Sequence, residues 1–346
     1  MTRGSMKIRL FLTVAALLLS ACAKAEPGSE PTTVAPTAPS PAAGDAAGWD
    51  AIPRIVAEVE PSVVAVLSEN GEGSGVIYRS DGTIVTNYHV VAGARRVQIQ
   101  LADGSSLPAA VLATDEPTDL AVLRIERDNL PPARFATSLP TVGELAIAIG
   151  NPLGLENTVT AGIISGVQRS VPASGPIPAS LVDLIQTDAP ISPGNSGGAL
   201  VNGRAEVVGI SVAYVPPGLG AVSIGFAIPA PAVTDVVEQL LAGGQVRHAF
   251  LGIEYAPITP QIAQRFGLET ATGVLVVAVV PGSPAATAGL VPGDAIASFD
   301  GQPVREVSDL LVALRRAQPG QVATLSVLRG GQTREVRVVL SERTRR

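Results

Sequence analysis

From residue 49 onward, the spacing of hydrophobic positions separates one helix from a long series of strands. Ile52, Ile55 and Val59 recur at the interval of a helix, which Pro61 ends. Short β-branched runs follow, separated by Gly, Pro and Asp-Gly turns. They predict strands at 63–67, 75–78, 83–87, 96–101, 107–113, 119–125, 144–149, 158–167, 183–187, 198–201, 205–215 and 222–227. Many short strands at this spacing predict a β-barrel or a pair of barrels.

The pattern changes again after a helical stretch at 231–241, which a Gly-Gly pair ends. The remainder has its own short strands and one amphipathic helix at 308–317. The sequence therefore predicts two domains, at 49–242 and 247–342, and a mainly β fold. The 346 residues are enough for two domains of ordinary size.

The N-terminal residues follow neither pattern. Basic residues precede an apolar stretch, Leu10 to Leu19, that is too short to span a bilayer and indicates a secretory signal at 1–21. Its L-S-A-C ending resembles the lipobox of bacterial lipoproteins, so Cys22 is expected to carry a lipid anchor. The alternative is a lone cysteine inside an ordinary signal peptide. Residues 22–48, rich in Pro, Ala and Thr, predict an extended linker.

Composition and charge narrow the classes of function. The net charge is −6, and Lys or Arg form no block outside the two termini, which disfavours nucleic-acid binding. Two histidines and one cysteine leave no credible zinc or haem site, so no metal and no cofactor are expected. A hydrophobic content of 46% with 16% charged residues is typical of a β-rich globular chain.

Ser196 lies between glycines in Gly-Asn-Ser-Gly-Gly, which fits the nucleophile elbow of α/β-hydrolases. That elbow needs a strand before the serine and a helix after it. Here two β-branched runs flank an Asn-Gly turn, which predicts a hairpin instead. An elbow trio of Ser196, Asp235 and His248 stays open as a less favoured alternative.

A different trio has the right chain order for another kind of serine hydrolase. His89 follows the strand at 83–87, and Asp119 opens a later strand. Alone, each residue is more often structural than catalytic. Together with Ser196 they give the order His, Asp, Ser of the chymotrypsin architecture, in which the catalytic groups meet between two barrels. Gly194 suits a backbone that turns its own amide and that of Ser196 towards one oxyanion.

The Gly-rich stretch G-E-G-S-G at 71–75 could be taken for a phosphate-binding loop. It lacks the Lys-Ser/Thr ending of such loops and leads into a strand. A nucleotide site is therefore not expected there.

Several longer motifs resemble those of HtrA (DegP/DegS-like) serine proteases in order and spacing: TNYHVV, TDLAVLRI, AIGNPLG, QTDAPISPGNSGGALVN and IGFAIP. The C-terminal part, with FLGI at 250–253 and VVPGSPAATAGLVPGDAIASFDGQPV at 279–304, resembles the PDZ domain of that family. The resemblance covers about residues 50–342. It implies a chymotrypsin-like pair of six-stranded β-barrels followed by one PDZ domain.

The resemblance also implies roles for residues. His89 would be the general base, Asp119 its orienting acid and Ser196 the nucleophile. The amides of Gly194, Asn195 and Ser196 would form the oxyanion hole. The family forms homotrimers and degrades misfolded envelope proteins without metal or ATP. Pro190, Ser192 and Ala199 depart from the usual family residues, and the single PDZ favours a small regulated protease and puts a chaperone role in doubt.

Two binding surfaces are expected from these motifs. The walls of the specificity pocket would be Pro190 and Ile191 on one side and Ile210, Ser211 and Val212 on the other. Such apolar walls favour cleavage after Val, Ala, Leu or Ile, with Asp188 pointing away. In the PDZ domain, the backbone amides of Leu251, Gly252 and Ile253 would bind the C-terminal carboxylate of a peptide.

Two functions remain for the whole chain. The first is an extracytoplasmic serine endopeptidase, tethered to the bacterial membrane by its lipid, that degrades misfolded or regulatory envelope proteins. The second is a non-catalytic, lipid-anchored PDZ adaptor with a decayed protease domain. The intact His, Asp and Ser set favours the first function.

Overall fold

The structure, a computed structural model, describes residues 48–69, 71–151, 158–171, 181–192, 194–214, 224–266 and 272–343. The predicted signal peptide, Cys22 and nearly all of the linker lie outside the described residues. Over the described ranges, no helix has the length and apolar character needed to cross a membrane.

The N-terminal part of the described chain forms a closed six-stranded barrel. Its strands follow the order β1-β2-β3-β6-β5-β4 and are antiparallel, and β4 closes the barrel on β1. Alternate aliphatic side chains fill the interior, among them Val64, Ile84 and Leu123. The elements are α1 (Ile52–Val59), β1 (Val63–Ser68), β2 (Gly71–Ile77), β3 (Thr83–Asn87), α2 (Tyr88–Val91), β4 (Arg96–Gln100), β5 (Ser106–Asp115) and β6 (Leu120–Ile125).

A second closed six-stranded barrel follows, in the order β10-β11-β12-β9-β8-β7. Small side chains such as Ala146, Ala148 and Ala227 occupy much of its interior, together with Ile164 and Ile185. The elements are β7 (Leu145–Gly150), β8 (Thr158–Val171), β9 (Leu181–Thr187), β10 (Ala199–Val201), β11 (Val207–Tyr214), β12 (Gly225–Pro229) and α3 (Ala230–Gly243).

A shared hydrophobic core joins the two barrels. Val85 and Leu120 of the first barrel belong to the same buried cluster as Ile147 and Ile210 of the second, with Val236 of α3. The α3 helix packs against β5 and β6 on one side and β11 and β12 on the other. The barrels are therefore fixed side by side, and loops from both meet along their junction.

The C-terminal region forms a separate antiparallel sheet in the order β14-β15-β16-β18-β19, with β17 beside β16 and with β14 at one edge. The first and last strands of the region, β13 and β20, pair with each other in a separate two-stranded sheet. The elements are β13 (Ala249–Phe250), β14 (Ile253–Pro257), α4 (Pro260–Phe266), β15 (Val274–Val279), α5 (Pro284–Thr287), β16 (Ala295–Phe299), β17 (Gln302–Pro303), α6 (Val307–Arg316), β18 (Val322–Arg329), β19 (Gln332–Val339) and β20 (Ser341–Glu342).

The mainly β architecture, with two closed barrels before a separate C-terminal sheet, is the one that the sequence predicts. Local boundaries differ near the candidate site. β2 begins at Gly71 and includes the Gly-rich stretch. His89 lies in the short helix α2 after β3, and Asp119 lies at the end of a 3-10 turn, Glu116–Thr118, just before β6.

Candidate active site

His89 and Asp119 form a doubly bonded pair. Asp119 Oδ2 lies 2.7 Å from His89 Nδ1, and Asp119 Oδ1 accepts a 2.9 Å hydrogen bond from the His89 backbone N–H. Asp119 is fully buried, and the His89 side chain is largely so. Because both carboxylate oxygens are used, the ring and its backbone are oriented together. Nδ1 is held by the acid, which leaves Nε2 as the nitrogen that can accept a proton.

The 3-10 turn holds Asp119 in an unusual backbone conformation. Asp119 has a φ of 56°, in the left-handed region that costs most non-glycine residues about 1 kcal/mol or more. Asp115 stabilises the turn, because its Oδ2 accepts from both the backbone N–H and the hydroxyl of Thr118. The Asp119 carbonyl accepts from Tyr88 N–H and from Asn87 Nδ2, each at 3.0 Å. These contacts attach the turn to the segment that carries His89.

Ser196 lies in the loop between β9 and β10, against the other barrel. Its hydroxyl donates a long hydrogen bond of 3.5 Å to the Val212 carbonyl. A Cβ placed on Gly73 would lie 2.9 Å from the Ser196 carbonyl oxygen and 2.8 Å from Val90 Cγ2. Since Val90 follows His89 in α2, the serine loop and the histidine helix lie on two sides of the same glycine. The Ser196 loop of the second barrel and the His89 helix of the first barrel therefore pack against the same residue.

The backbone amides of Gly194 and Ser196 differ from that of Asn195 in their hydrogen bonding. The amides of Gly194 and Ser196 donate to no other described residue, and Gly194 has a φ of 94°. The Asn195 amide instead donates to the Ser192 carbonyl at 3.0 Å. The expectation that Asn195 joins the oxyanion hole is corrected accordingly, because its N–H is already used within the turn.

Unpaired polar atoms gather around this loop. Among the described residues, the buried side-chain atoms without a hydrogen-bond partner belong to Asn87, Asn151, Asn195 and Ser211. Each such atom costs about 1–3 kcal/mol. Native folds hold few of them, and those that occur call for an explanation such as a catalytic role. Two of the four residues, Asn87 and Asn195, lie within two positions of His89 and Ser196 in the chain.

The expected specificity walls lie deep in the fold. Ile191 belongs to the interior of the second barrel, whereas Ile210 and Val212 belong to the core between the barrels. Ser211 is also buried, and Pro190 is exposed. The strand that carries one wall, β11, ends at Tyr214, and residues 215–223 lie outside the described residues. Asp188 Oδ1 accepts a 2.7 Å hydrogen bond from the Ile163 N–H on β8.

The alternative trio of Ser196, Asp235 and His248 is not assembled. His248 Nε2 lies 2.8 Å from Asp115 Oδ1. Asp235 accepts a hydrogen bond from Gln239 on its own helix. The elbow interpretation is therefore wrong, in agreement with the hairpin formed by β10 and β11.

The C-terminal region contacts the turn that carries Asp119 at two points. His248, in the linker before β13, pairs with Asp115, which caps the turn. Arg315 of α6 donates to the Val182 carbonyl at 2.8 Å and to the Pro117 carbonyl at 3.3 Å. Burial lowers the pKa of Arg315. No sequence motif indicates these contacts, because the paired residues lie more than a hundred positions apart.

The candidate carboxylate-binding loop of the PDZ region precedes the edge strand β14. Gly252 has a φ of 85°, and a Cβ there would lie 2.2 Å from Ser283 Cβ, so the turn requires glycine. Its carbonyl accepts from the Val280 N–H and the Ser283 hydroxyl. These bonds fix the turn at Gly252, which leads from the buried Leu251 into the edge strand at Ile253.

A metal-binding group does not emerge from the described part of the chain. There, no cluster of three or more His, Cys, Asp or Glu side chains is arranged to hold an ion.

Two family models match the chain: a trypsin-like peptidase domain over residues 73–210 and a PDZ domain over residues 249–340. The putative serine protease HhoB of Synechocystis sp. is 44% identical over 271 residues, which cover 76% of this chain and 64% of HhoB. A probable periplasmic serine endoprotease, DegP-like, of Hahella chejuensis is 42% identical over 78% of this chain and 57% of its own length. The chain thus spans less than two thirds of either relative.

A solved structure is also similar, and over nearly its whole length. The HtrA-type protease AlgW with a decapeptide superposes with a TM-score of 0.70 at 34% sequence identity. The match covers 84% of this chain and 98% of the AlgW chain. It therefore includes both barrels and the C-terminal sheet.

Proposed function

Because the chain belongs to the HtrA family of trypsin-like serine proteases with a PDZ domain, we propose that it is a serine endopeptidase. The observation that carries the proposal is the His89–Asp119 pair, which is doubly bonded and buried beside the loop of Ser196. A buried acid that fixes both the ring and the backbone of a histidine is the arrangement that general-base catalysis by that histidine needs.

The proposed mechanism proceeds through an acyl-enzyme. The Ser196 hydroxyl exchanges its long bond to Val212 for His89 Nε2, attacks the scissile carbonyl and gives its proton to that nitrogen. The amides of Gly194 and Ser196 donate to the oxyanion, and Asp119 stabilises the imidazolium. His89 then protonates the leaving amine, and a water molecule activated by the same histidine releases the product.

A fluorophosphonate probe and a cleavage assay test the proposal together. We expect the probe to label the wild-type protein at Ser196, and Ser196→Ala to lose both labelling and casein cleavage while remaining folded. Ser62→Ala is a suitable control, since Ser62 is a buried serine at the start of the first barrel. A Ser196→Ala protein that cleaves at the wild-type rate would refute the assignment. A wild-type protein without labelling or cleavage would favour the adaptor function.

The proposed substrates are unfolded or misfolded envelope proteins, cut after Val, Ala, Leu or Ile. Support comes from two apolar residues beside the serine loop: the Val212 carbonyl accepts from the Ser196 hydroxyl, and Ile191 precedes the loop in the chain. An unpaired Lys or Arg side chain would cost several kcal/mol to desolvate there, and the Asp188 carboxylate is already bonded to β8. Mass spectrometry of a digested denatured protein gives the cut sites. Cuts mainly after Lys or Arg would contradict this preference.

The proposed role of the PDZ region is to bind peptides through their free C-terminus. The edge strand β14 can accept a peptide as an additional strand, and Leu251, Gly252 and Ile253 would receive its carboxylate. The solved AlgW structures, which contain a decapeptide or a tripeptide, support peptide binding in this family. A peptide with an apolar C-terminal residue should bind far more tightly as the acid than as the amide. Equal affinities for the acid and the amide would mean that these three residues do not bind the carboxylate.

The proposed location is outside the cytoplasm, with Cys22 lipidated and the protein tethered to the membrane, and the proposed assembly is a homotrimer. The lipobox-like ending before Cys22 supports the anchor. The periplasmic assignment of the DegP-like relatives supports the compartment. Sedimentation of the chain without its lipid tests the assembly, since a monomer at micromolar concentration would contradict the trimer.

A further inference from the structure

Ser74 makes an unusual set of hydrogen bonds to the serine loop. It lies on β2, opposite Ala65 of β1, and is fully buried. Its backbone N–H donates to the Ser196 carbonyl at 2.7 Å, and its hydroxyl donates to the Gly194 carbonyl at 2.6 Å. One residue of the first barrel therefore holds the carbonyls of both residues whose amides are proposed to bind the oxyanion.

β2 can make these contacts because only its last two residues pair with β3. On the side of β3, the ladder of β2 contains only Val76 and Ile77. Ser74 therefore has no ladder partner on that side, and its backbone meets the serine loop instead. The carbonyl of Ser74 accepts from the Thr86 hydroxyl at 2.6 Å. The hydroxyl of Ser74 accepts from the Asn151 N–H at 2.8 Å, so its orientation is fixed as well.

The geometry of the peptide links these bonds to the proposed oxyanion hole. The carbonyl of Gly194 belongs to the peptide plane before Asn195, and the carbonyl of Ser196 belongs to the plane before Gly197. The amide of Ser196 lies in the plane between those two. Fixing both neighbouring planes therefore limits the rotation of the Ser196 amide, and the plane that is fixed at the Gly194 carbonyl adjoins the plane of the Gly194 amide.

Two glycines make the close approach feasible. A Cβ on Gly73 would lie 2.9 Å from the Ser196 carbonyl oxygen. A Cβ on Gly197 would lie 2.1 Å from the Ser74 carbonyl oxygen. The Gly-rich stretch at 71–75 is thus a strand whose small residues let the backbone of the serine loop pack directly on it.

We propose that Ser74 is a positioning residue for the oxyanion hole, through its bonds to Gly194 and Ser196. The inference rests on the proposed peptidase function and deepens it. Ser74 touches neither the substrate nor the reacting atoms, so its loss should raise the barrier of the chemical step and leave ground-state binding of the substrate nearly unchanged. We expect Ser74→Ala to lower kcat by about 10- to 100-fold, less than the loss of a whole oxyanion donor, with KM changed by less than about threefold.

A matched pair of inhibitors separates positioning from a merely structural role. A peptide aldehyde ending in valinal adds the Ser196 hydroxyl across its C=O bond, with the proton passing through His89, and the resulting hemiacetal oxygen occupies the oxyanion hole. The corresponding valinol peptide binds without that bond. In the full-length protein, Ser74→Ala should reduce the preference for aldehyde over alcohol by the same factor as kcat, and the affinity for the alcohol should stay constant.

Two control variants test whether the effect depends on the hydroxyl of Ser74. Ser62→Ala should leave the preference unchanged, and Ser74→Cys, which keeps a weak donor of similar size, should fall between the wild type and Ser74→Ala. A wild-type preference in Ser74→Ala would overturn the assignment, and if that variant does not fold, a wild-type preference in Ser74→Cys would do so. A wild-type protein that binds aldehyde and alcohol equally would refute the peptidase proposal itself, which is a different result.

Discussion

Replacing Asp115 by Ala removes a carboxylate that bonds both to the Asp119 turn and to His248 of the linker. Its Oδ2 caps the 3-10 turn through Thr118, and both of its oxygens lie within 3.0 Å of His248 Nε2. Neither side chain is screened much by water, since Asp115 is 7% and His248 18% exposed. The substitution should therefore loosen the turn that holds Asp119 and detach the linker from it.

The magnitude follows from the hydrogen bonds that the substitution removes. Loss of a helix-type N-cap costs about 0.5–2 kcal/mol. A hydrogen bond to a charged group contributes about 1.5–3 kcal/mol. We expect Asp115→Ala to lower the free energy of unfolding by about 2–4 kcal/mol. We also expect kcat to fall by about 10- to 100-fold, short of the roughly 10⁴-fold loss seen when a triad acid no longer orients its histidine.

Urea unfolding and a double-mutant cycle with His248→Ala measure the two contributions separately. The coupling free energy between Asp115 and His248 should be about 1–2 kcal/mol, because the two residues are in direct contact. Kinetically, Asp115→Ala should lower kcat more than His248→Ala, since only Asp115 bonds to the turn itself. Asp103→Ala provides the matched control: Asp103 caps the backbone of Ser105 in a similar way, but in an exposed turn.

Two results would refute this reasoning. A coupling free energy within about 0.3 kcal/mol of zero would mean that the contact between linker and turn contributes nothing. A kcat for Asp115→Ala equal to that of Asp103→Ala would mean that the turn holds Asp119 without its cap.

Three further predictions concern other parts of the chain. Cys22→Ser should block lipidation and move the protein out of the membrane fraction; fractionation like the wild type, with an unaltered N-terminal mass, would contradict the anchor. Burial, and then the hydrogen bond to Glu238, raise the pKa of Tyr78 to about 12 from 10.0, so stability should fall as the pH rises between these values. In ultraviolet titration, Tyr78→Phe should remove a phenolate step near pH 12, and loss of a step near pH 10 instead would refute this. Gly197→Ala should abolish cleavage, because its Cβ would lie 2.1 Å from a backbone oxygen of β2, whereas Gly104→Ala, with a similar positive φ and open space, should be tolerated.

Local pattern predicts the strands well, because β-branched runs between turn residues have few other structures available. The hairpin of β10 and β11 around its Asn-Gly turn is an example. The same reasoning misses the start of β2, since glycine has low strand propensity and Gly71 to Gly75 are held by partners from elsewhere in the chain. Ser74 likewise gives no signal in the sequence, because its hydrogen-bond partners in the serine loop lie more than a hundred positions away.

The chain order of His89, Asp119 and Ser196 indicates the candidate site, but the supporting contacts are not encoded locally. His248 reads as a possible catalytic residue in the sequence, and it bonds instead to Asp115, 133 positions away. The Asn195 amide could equally face an oxyanion or a neighbouring carbonyl, and only the turn geometry decides for Ser192. Side-chain identity restricts the chemistry of a residue, whereas its partner depends on tertiary packing.

The pairing of β13 with β20 has a consequence for protein engineering. Ala249 lies opposite Glu342, and the Arg343 N–H donates to the His248 carbonyl, so the C-terminal region enters and leaves at one point. A module whose ends meet can be exchanged for another without cutting through a sheet. A different recognition module placed at this position would not contain His248 and Arg315. The two barrels would then lose two contacts that support the Asp119 turn. Swapping specificity in this scaffold therefore requires grafting those two side chains along with the new module.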